Sequence, residues 1–280
     1  MSYSVIIPTI KDIVESHGSI VYTVRSILDQ SVPADKIIIV SRENNTKTNE
    51  ELLRRFENQI QLVTYPSDIM NISYSRNLGA SYAESDNLIF MDDDVVLGEY
   101  NVAEITNKVL LHFDFCCGAK RLWSPMNWGE YLNELYSIEH TRRILQAVSF
   151  CPCSVNRSSA RNVRSYHNYS YIGNFGAIKR TVFDAVQGFD ESYIGWIAGD
   201  TDLMMRLCYN KFSYHILANS GLKVYHLSHP VNKEANKEKN RNLLNAKMQS
   251  LGIKFNSGNF FGEFNPFSND FSVIKYLSNE

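Results

Sequence analysis

The sequence predicts an α/β fold, a mostly parallel sheet covered by helices on both faces. Two observations carry that prediction. The runs Val5-Ile6-Ile7, Ile37–Val40 and Leu88-Ile89-Phe90-Met91 are apolar throughout. They lack the in–out alternation of a half-solvated sheet, so their strands are buried on both faces. Between them lie segments whose apolar residues recur at helical spacing, and a strand–helix alternation is the pattern of βαβ units.

The elements follow in order. Val5-Ile6-Ile7 is the first strand. Ile20, Val24, Ile27 and Leu28 mark a helix, and Pro33 closes that segment because proline cannot continue it. Ile37–Val40 is the second strand, Leu52, Leu53 and Phe56 mark a short helix, and Gln61–Tyr65 is the third strand. Ser73–Ala83 reads as a helix and Leu88–Met91 as the fourth strand. Beyond residue 98 the pattern loosens. Val102, Ile105, Val109 and Leu110 mark a helix, Phe113–Ala119 a strand and Tyr131–Val148 a helix. Cys151–Tyr169 is rich in Ser, Asn and Arg without periodicity and reads as a long loop. Ile172–Ile178 and Val224–Leu227 read as strands, with a helix over Thr201–Cys208 between them. Lys233–Leu251 reads as a charged helix. The tail carries Phe255, Phe260, Phe261, Phe264, Phe267, Phe271 and Tyr276. The whole divides into residues 1–98, 99–230 and 231–280 of one continuous domain.

Composition narrows the function classes. With 280 residues, 44% of them hydrophobic, the chain buries a substantial core. A formal net charge of −2 gives no basic field, so duplex nucleic acid is not an expected partner. No apolar run reaches the length of a bilayer span, and the start, with Tyr3-Ser4-Val5-Ile6-Ile7-Pro8, reads as a first core strand rather than a signal peptide. The five cysteines have an odd count and adjacent pairs, which points to reduced thiols in a cytoplasmic protein. Lys233–Lys239 and the aromatic tail suggest peripheral association with the inner face of a membrane.

Chemistry is concentrated at strand ends. Asp92-Asp93-Asp94 follow the fourth apolar run directly. Like charges at close range raise one another's pKa, so a carboxylate triplet is unfavourable without a cation. Carboxylate oxygens are hard ligands suited to Mg²⁺ or Mn²⁺, and such a site commonly holds a diphosphate. The plain alternative is a charged turn. Ligands of parallel sheets bind beyond the carboxyl ends of the strands, so Pro8-Thr9, Ser41–Asn45 and Asp92–Asp94 are expected in one crevice.

These segments, in their order and spacing, resemble an inverting family 2 glycosyltransferase of the GT-A fold. Ser73-Tyr74-Ser75-Arg76-Asn77-Leu78-Gly79 resembles the family's ARNLG helix, and Phe90–Asp94 its DxD element. Gly188-Phe189-Asp190-Glu191, Gly195-Trp196 and Asp200-Thr201-Asp202 resemble its acceptor-side signature. The likeness extends over most of residues 2–230.

By that resemblance Asp94 ligates Mn²⁺ or Mg²⁺ and His226 is a further ligand, where the residue alone reads equally as a structural histidine. Asp92 contacts the donor ribose or the metal shell. Asp93 fills the middle position at the donor site as a solvent-exposed carboxylate. Pro8 and Thr9 line the nucleobase pocket. Arg76 hydrogen-bonds the nucleotide or its phosphate, or else forms a surface salt bridge. Asp200 is the catalytic base, against a reading as a helix N-cap. Trp196 stacks on an acceptor sugar or packs in the core. Asp202 serves the acceptor side or pairs with Arg206, and His229 lies close enough to substitute for His226.

Two departures stand out: Gly199 where the family has glutamate, and Ser41-Arg42-Glu43-Asn44 where relatives carry an aspartate pair that reads uracil. The implied activity is metal-dependent, inverting transfer from a nucleotide-diphosphate sugar, UDP-linked first, to a free or lipid-linked saccharide hydroxyl. Bacterial surface polysaccharide or glycolipid synthesis is the implied setting. The alternatives are a catalytically silent nucleotide- or carbohydrate-binding scaffold, and a nucleotidyltransferase. Against the latter, no glycine-rich phosphate loop follows the first strand.

Overall fold

A computed structural model describes residues 1–9, 18–66, 71–150, 172–195, 198–229 and 236–250. Its first half is built from β1 (Tyr3–Thr9), α1 (Ser19–Leu28), β2 (Lys36–Arg42), α2 (Thr46–Phe56), β3 (Gln61–Tyr65), α3 (Ile72–Tyr82), β4 (Asn87–Met91) and β5 (Val95–Leu97). Then come α4 (Val102–Val109), β6 (Phe115–Cys117), β7 (Lys120–Trp123), α5 (Ile138–Val148), α6 (Ile172–Phe175), β8 (Gly176–Lys179) and α7 (Arg180–Ala185). The last are α8 (Gly199–Tyr209), β9 (Tyr214–Ile216), β10 (Lys223–His226) and α9 (Lys237–Ser250).

The central sheet runs in the order β3-β2-β1-β4-β8-β6-β9. β8 is antiparallel to both neighbours and every other pair is parallel. Successive side chains of one strand feed opposite faces. Val5, Ile7, Ile37, Ile39, Ile89 and Met91 pack with α1, α2 and α4. Ile6, Ile38, Val40, Leu88 and Phe90 pack with α3, α7 and α8. Both faces are therefore dry, which is why these strands read as unbroken apolar runs. A second sheet, β5-β10-β7, begins just after the carboxyl end of β4, since β5 follows the aspartate triplet. β10 lies antiparallel to β5 and parallel to β7 there.

Several expected boundaries shift for identifiable reasons. Ile172–Ile178 is not one strand. Residues 172–175 form a helical turn, because the Asn174 carbonyl accepts the Asp92 N–H at 3.0 Å, and only Gly176–Lys179 joins the sheet. The helix expected from Tyr131 starts at Ile138, where Ser137 accepts the His140 N–H as N-cap. Residues 128–130 form a separate 3₁₀ turn. β6 stops at Cys117 because Gly118 takes a positive φ. β5, β7 and β9 span only three or four residues and left no periodic trace. Cys116, Cys117 and Cys208 are free thiols. The Cys151–Tyr169 loop and the aromatic tail lie outside the described residues. The charged helix is α9, and it buries Asn240, Leu244 and Met248 at i, i+4 and i+8 against the protein body. Among the described residues no helix is long and apolar enough to cross a membrane.

One contact sets how close α3 comes to the sheet. A Cβ on Gly79 would stand 2.5 Å from Ile6 Cγ2 and 3.0 Å from Val40 Cγ2. Only a residue without a side chain lets the helix approach β1 and β2 this closely. Gly79→Ala is expected to destabilise the fold by about 1–2 kcal/mol, overpacking outweighing the gain in helix propensity. Urea unfolding checks this, and unchanged stability would show that α3 can lift off without cost.

Candidate active site

β1 and β4 end side by side, and the aspartate triplet turns across their carboxyl ends into β5. Thr9, the last residue of β1, donates from Oγ1 to Asp93 Oδ2 at 2.7 Å, and Thr23 donates to the Asp93 carbonyl at 3.1 Å. Asp93 is only 8% exposed. The expected solvent-exposed carboxylate is instead a buried one that ties the triplet to β1 and α1. Pro8 is buried in β1 opposite Val40, and Thr9 stands opposite Ser41 of β2. Arg42 turns back towards Asn45 Oδ1 at 3.4 Å.

Arg76 sits at the centre. Its side chain is 2% exposed, which excludes a surface salt bridge. Nη1 donates to Asp200 Oδ1 at 2.9 Å and Nη2 to Asp92 Oδ1 at 3.0 Å. The guanidinium also lies over the Phe189 ring, 5.0 Å from its centroid. One cation therefore spans two carboxylates from distant parts of the chain. Asn174 Nδ2 donates to the other Asp92 oxygen at 2.9 Å. The Asp92 side chain still keeps 27% of its surface exposed. Packing around it nevertheless raises its pKa, with Asp94 adding to the rise and Arg76 and Asn174 opposing it.

The helix bearing Arg76 also shapes the opposite wall. Asn77 holds the backbone of Phe189 through both N–H and carbonyl, at 2.9 and 2.8 Å, and reaches Glu191 Oε1 at 2.8 Å. Asn71 Nδ2 donates to the Glu191 carbonyl at 2.8 Å. This fixes the 188–195 segment that leads into α8. The N-cap of α8 is Ala198, in a left-handed conformation with φ +77, and no side chain caps it. Asp200 thus lies inside the first turn rather than at the cap, and its carboxylate goes to Arg76. A Cβ on Gly199 would stand 2.7 Å from Ser73 Oγ, so a side chain there needs that hydroxyl to rotate away. Trp196 lies outside the described residues.

Asp94 forms the third corner. His226 Nε2 lies 3.4 Å from its Oδ1 and His229 Nε2 lies 2.9 Å from its Oδ2. Burial would raise the Asp94 pKa, but His226, His229 and Arg121 outweigh it and hold the carboxyl well below the usual range. Trp123 covers His226 with ring centroids 4.2 Å apart, and the Arg121 guanidinium lies over Trp123 at 4.5 Å. Burial lowers the pKa of Arg121, while Asp94 and Asp92 support its charge. Asp94, His226 and His229 each offer a ligand atom, all within 4.8 Å of one another. One carboxylate and two imidazoles on a rigid strand end fit a divalent transition metal better than magnesium, which prefers oxygen alone. Sequence reasoning missed Arg121 and Asn174, since neither sits in a motif.

Asp202 belongs elsewhere. It is 0% exposed, accepts from Arg206 Nε at 2.7 Å and Tyr193 Oη at 3.2 Å, and lies 3.1 Å from Lys247 Nζ. Its oxygens are committed to the protein interior, so the acceptor-side reading of Asp202 gives way to the structural one.

Removing the central cation leaves two carboxylates facing each other. Arg76→Met is expected to cost about 3 kcal/mol, the low end for breaking a buried pair because Asp92 and Asp200 keep some solvent. Urea unfolding at neutral pH checks this, and a loss under about 1 kcal/mol would mean that the bridge contributes like an ordinary surface pair.

Comparison with known proteins agrees with this fold. Residues 4–186 match Glycosyl transferase family 2, and residues 155–230 match the N-terminal domain of galactosyltransferase. No curated protein matches the sequence. Among solved structures, mannosyltransferase PcManGT from Pyrobaculum calidifontis, in complex with GDP-Man and Mn²⁺, superposes with a TM-score of 0.55 at 12% identity. That alignment covers 91% of this chain and 65% of that one, so the chain spans just under two thirds of that protein's length. S. aureus TarS 1–349 with UDP-GlcNAc gives a TM-score of 0.58 at 15% identity, covering 91% of this chain and 68% of that one. At such identities the structural likeness concerns the fold, the GT-A arrangement of a mostly parallel sheet, and the family match spans well over half of the sequence. The chain belongs to glycosyl transferase family 2, a family of sugar-transferring enzymes.

Proposed function

We propose that the chain is a metal-dependent, inverting glycosyltransferase that moves a sugar from a nucleotide-diphosphate donor to a saccharide hydroxyl, free or lipid-linked, in the assembly of a polysaccharide or glycolipid. The observation that carries this reading is the Arg76 bridge. It holds Asp200 and Asp92 on one guanidinium, at 2.9 and 3.0 Å, beside the Asp94–His226–His229 corner. A carboxylate that can take a proton is thereby fixed in register with the groups suited to a diphosphate.

In the transfer the acceptor oxygen attacks the anomeric carbon as the carbon–oxygen bond to the diphosphate breaks. Asp200 takes the proton that the acceptor hydroxyl gives up. Attack opposite the leaving group inverts the anomeric centre, and the oxocarbenium character resembles that of glycoside hydrolysis. Arg76 keeps the Asp200 carboxylate oriented, while Asn174 and Arg76 orient Asp92. Asp94, His226 and His229 would hold the divalent ion, which when bound neutralises charge on the departing diphosphate. Arg121 adds fixed positive charge on the same side. Thr9, held by Asp93, and Pro8 form the donor floor where β1 meets Ser41. A UDP-sugar is the first donor to assign. GDP-mannose is the second, since a structural neighbour binds it and the residues after β2 lack the uracil-reading aspartates.

Two outcomes are expected. Mn²⁺ at a hundred times its Kd raises the stability of the full chain by about 2.7 kcal/mol, and Mg²⁺ at the same concentration raises it less. Asp94→Asn removes the difference, whereas equal shifts from both ions would contradict the nitrogen-containing ligand set. Asp200→Asn lowers turnover of UDP-GlcNAc or GDP-mannose by about 10²–10⁴-fold while leaving nucleotide affinity nearly unchanged. Retained turnover would remove Asp200 from the base role. Nucleotide binding with no turnover by the unaltered chain would favour the silent scaffold.

A further inference from the structure

We propose that α9 is a working part of the acceptor side of the site, with Lys247 as the positioning residue that ties the 188–195 segment to the helix bearing Asp200. This rests on the reading of Asp200 as the base. The helix lies beyond both stretches matched to known families, residues 4–186 and 155–230, so neither family match assigns it a role.

The geometry is that of a clamp. Lys247 pairs with Asp190 of the 188–195 segment and, at 3.1 Å, with Asp202 of α8. Its ammonium lies 4.8 Å from the centroid of the Tyr193 ring, whose hydroxyl donates to the same Asp202. One turn-pair earlier on α9, Asn240 is fully buried and holds Ile194 through both backbone groups, accepting from the N–H at 3.3 Å and donating to the carbonyl at 2.7 Å. The next residue, Gly195, bridges to Asn71 at the start of α3. The segment is therefore gripped by α3 on one side, through Asn71 and Asn77, and by α9 on the other.

The helix bearing Asp200 is gripped in the same manner. Two residues apart on an α-helix means roughly 200° around its axis. Asp200 faces Arg76 and the carboxylate crevice, while Asp202 faces Arg206 and Lys247 on the far side. Rotation of α8 that would carry Asp200 away from Arg76 must first break the Asp202 cluster. Asp202 is already satisfied by Arg206 and Tyr193, and Asp190 also accepts the Ser192 N–H at 2.8 Å. What Lys247 adds is the link between the two segments, a positional effect more than a neutralisation.

Hydrogen exchange and turnover of the full chain test this together, with Lys247→Met, Lys247→Arg and Asn240→Ala. In Lys247→Met, exchange over residues 188–202 is expected to quicken about tenfold with β1–β4 unchanged, a local opening rather than global loss. Nucleotide affinity, read by titration with UDP or GDP in Mn²⁺, stays within about twofold, while turnover of UDP-GlcNAc or GDP-mannose falls about tenfold through misplacement of the base. Lys247→Arg restores both. Should Lys247→Met not fold, Asn240→Ala is expected to give the same exchange pattern. Quickened exchange confined to α9, or turnover at the wild-type level, overturns the clamp. If Asp200→Asn retains turnover, the base reading falls, and the exchange result still decides whether α9 holds the segment.

Discussion

A single buried guanidinium organises this molecule. Arg76 faces Asp92 at the end of β4 and Asp200 in the first turn of α8, and its one charge offsets both carboxylates. Arginine suits the task through its planar fork, which offers separate N–H groups to two acceptors and keeps its charge when desolvated. Lysine, a single point charge, would not define the angle between the partners. The bridge only forms because α3 lies tight on β1 and β2, and Gly79 is what permits that approach. A helix displaced outward by the width of a methyl group would carry the guanidinium with it.

The same helix explains why its neighbouring residues have the identities they have. Asn77 satisfies the backbone of a turn that includes Gly188, at φ +66, and Asn71 holds Glu191. A Cβ at Gly199 would press on the Ser73 hydroxyl. The departure from the family pattern there does not disturb the Asp200–Arg76 pair. On the other flank, the second sheet brings β10 antiparallel to β5 and so sets His226 opposite Val95, beside Asp94. The histidine–carboxylate corner is a product of that pairing. Trp123 on the adjoining strand packs on the imidazole and limits its rotation.

The sequence by itself determined β1, β2 and β4, because strands dry on both faces must be apolar at nearly every position, and that requirement is local. It also determined that an acidic cluster ends β4 and that a helix runs over Ser73–Ala83. The tertiary structure alone decided what the charged residues do. The sequence left Asp200 as base or N-cap and Asp202 as acceptor-side or partner of Arg206, and helical geometry sends the first to the crevice and the second into the interior. Arg76 and Asp200 meet across 124 residues, and Asn174 and Arg121 join them from elements too short to leave a periodic signal. Apolar periodicity reports burial along one element. Pairing between ions depends on how elements cross, and that is fixed only when the whole core has packed.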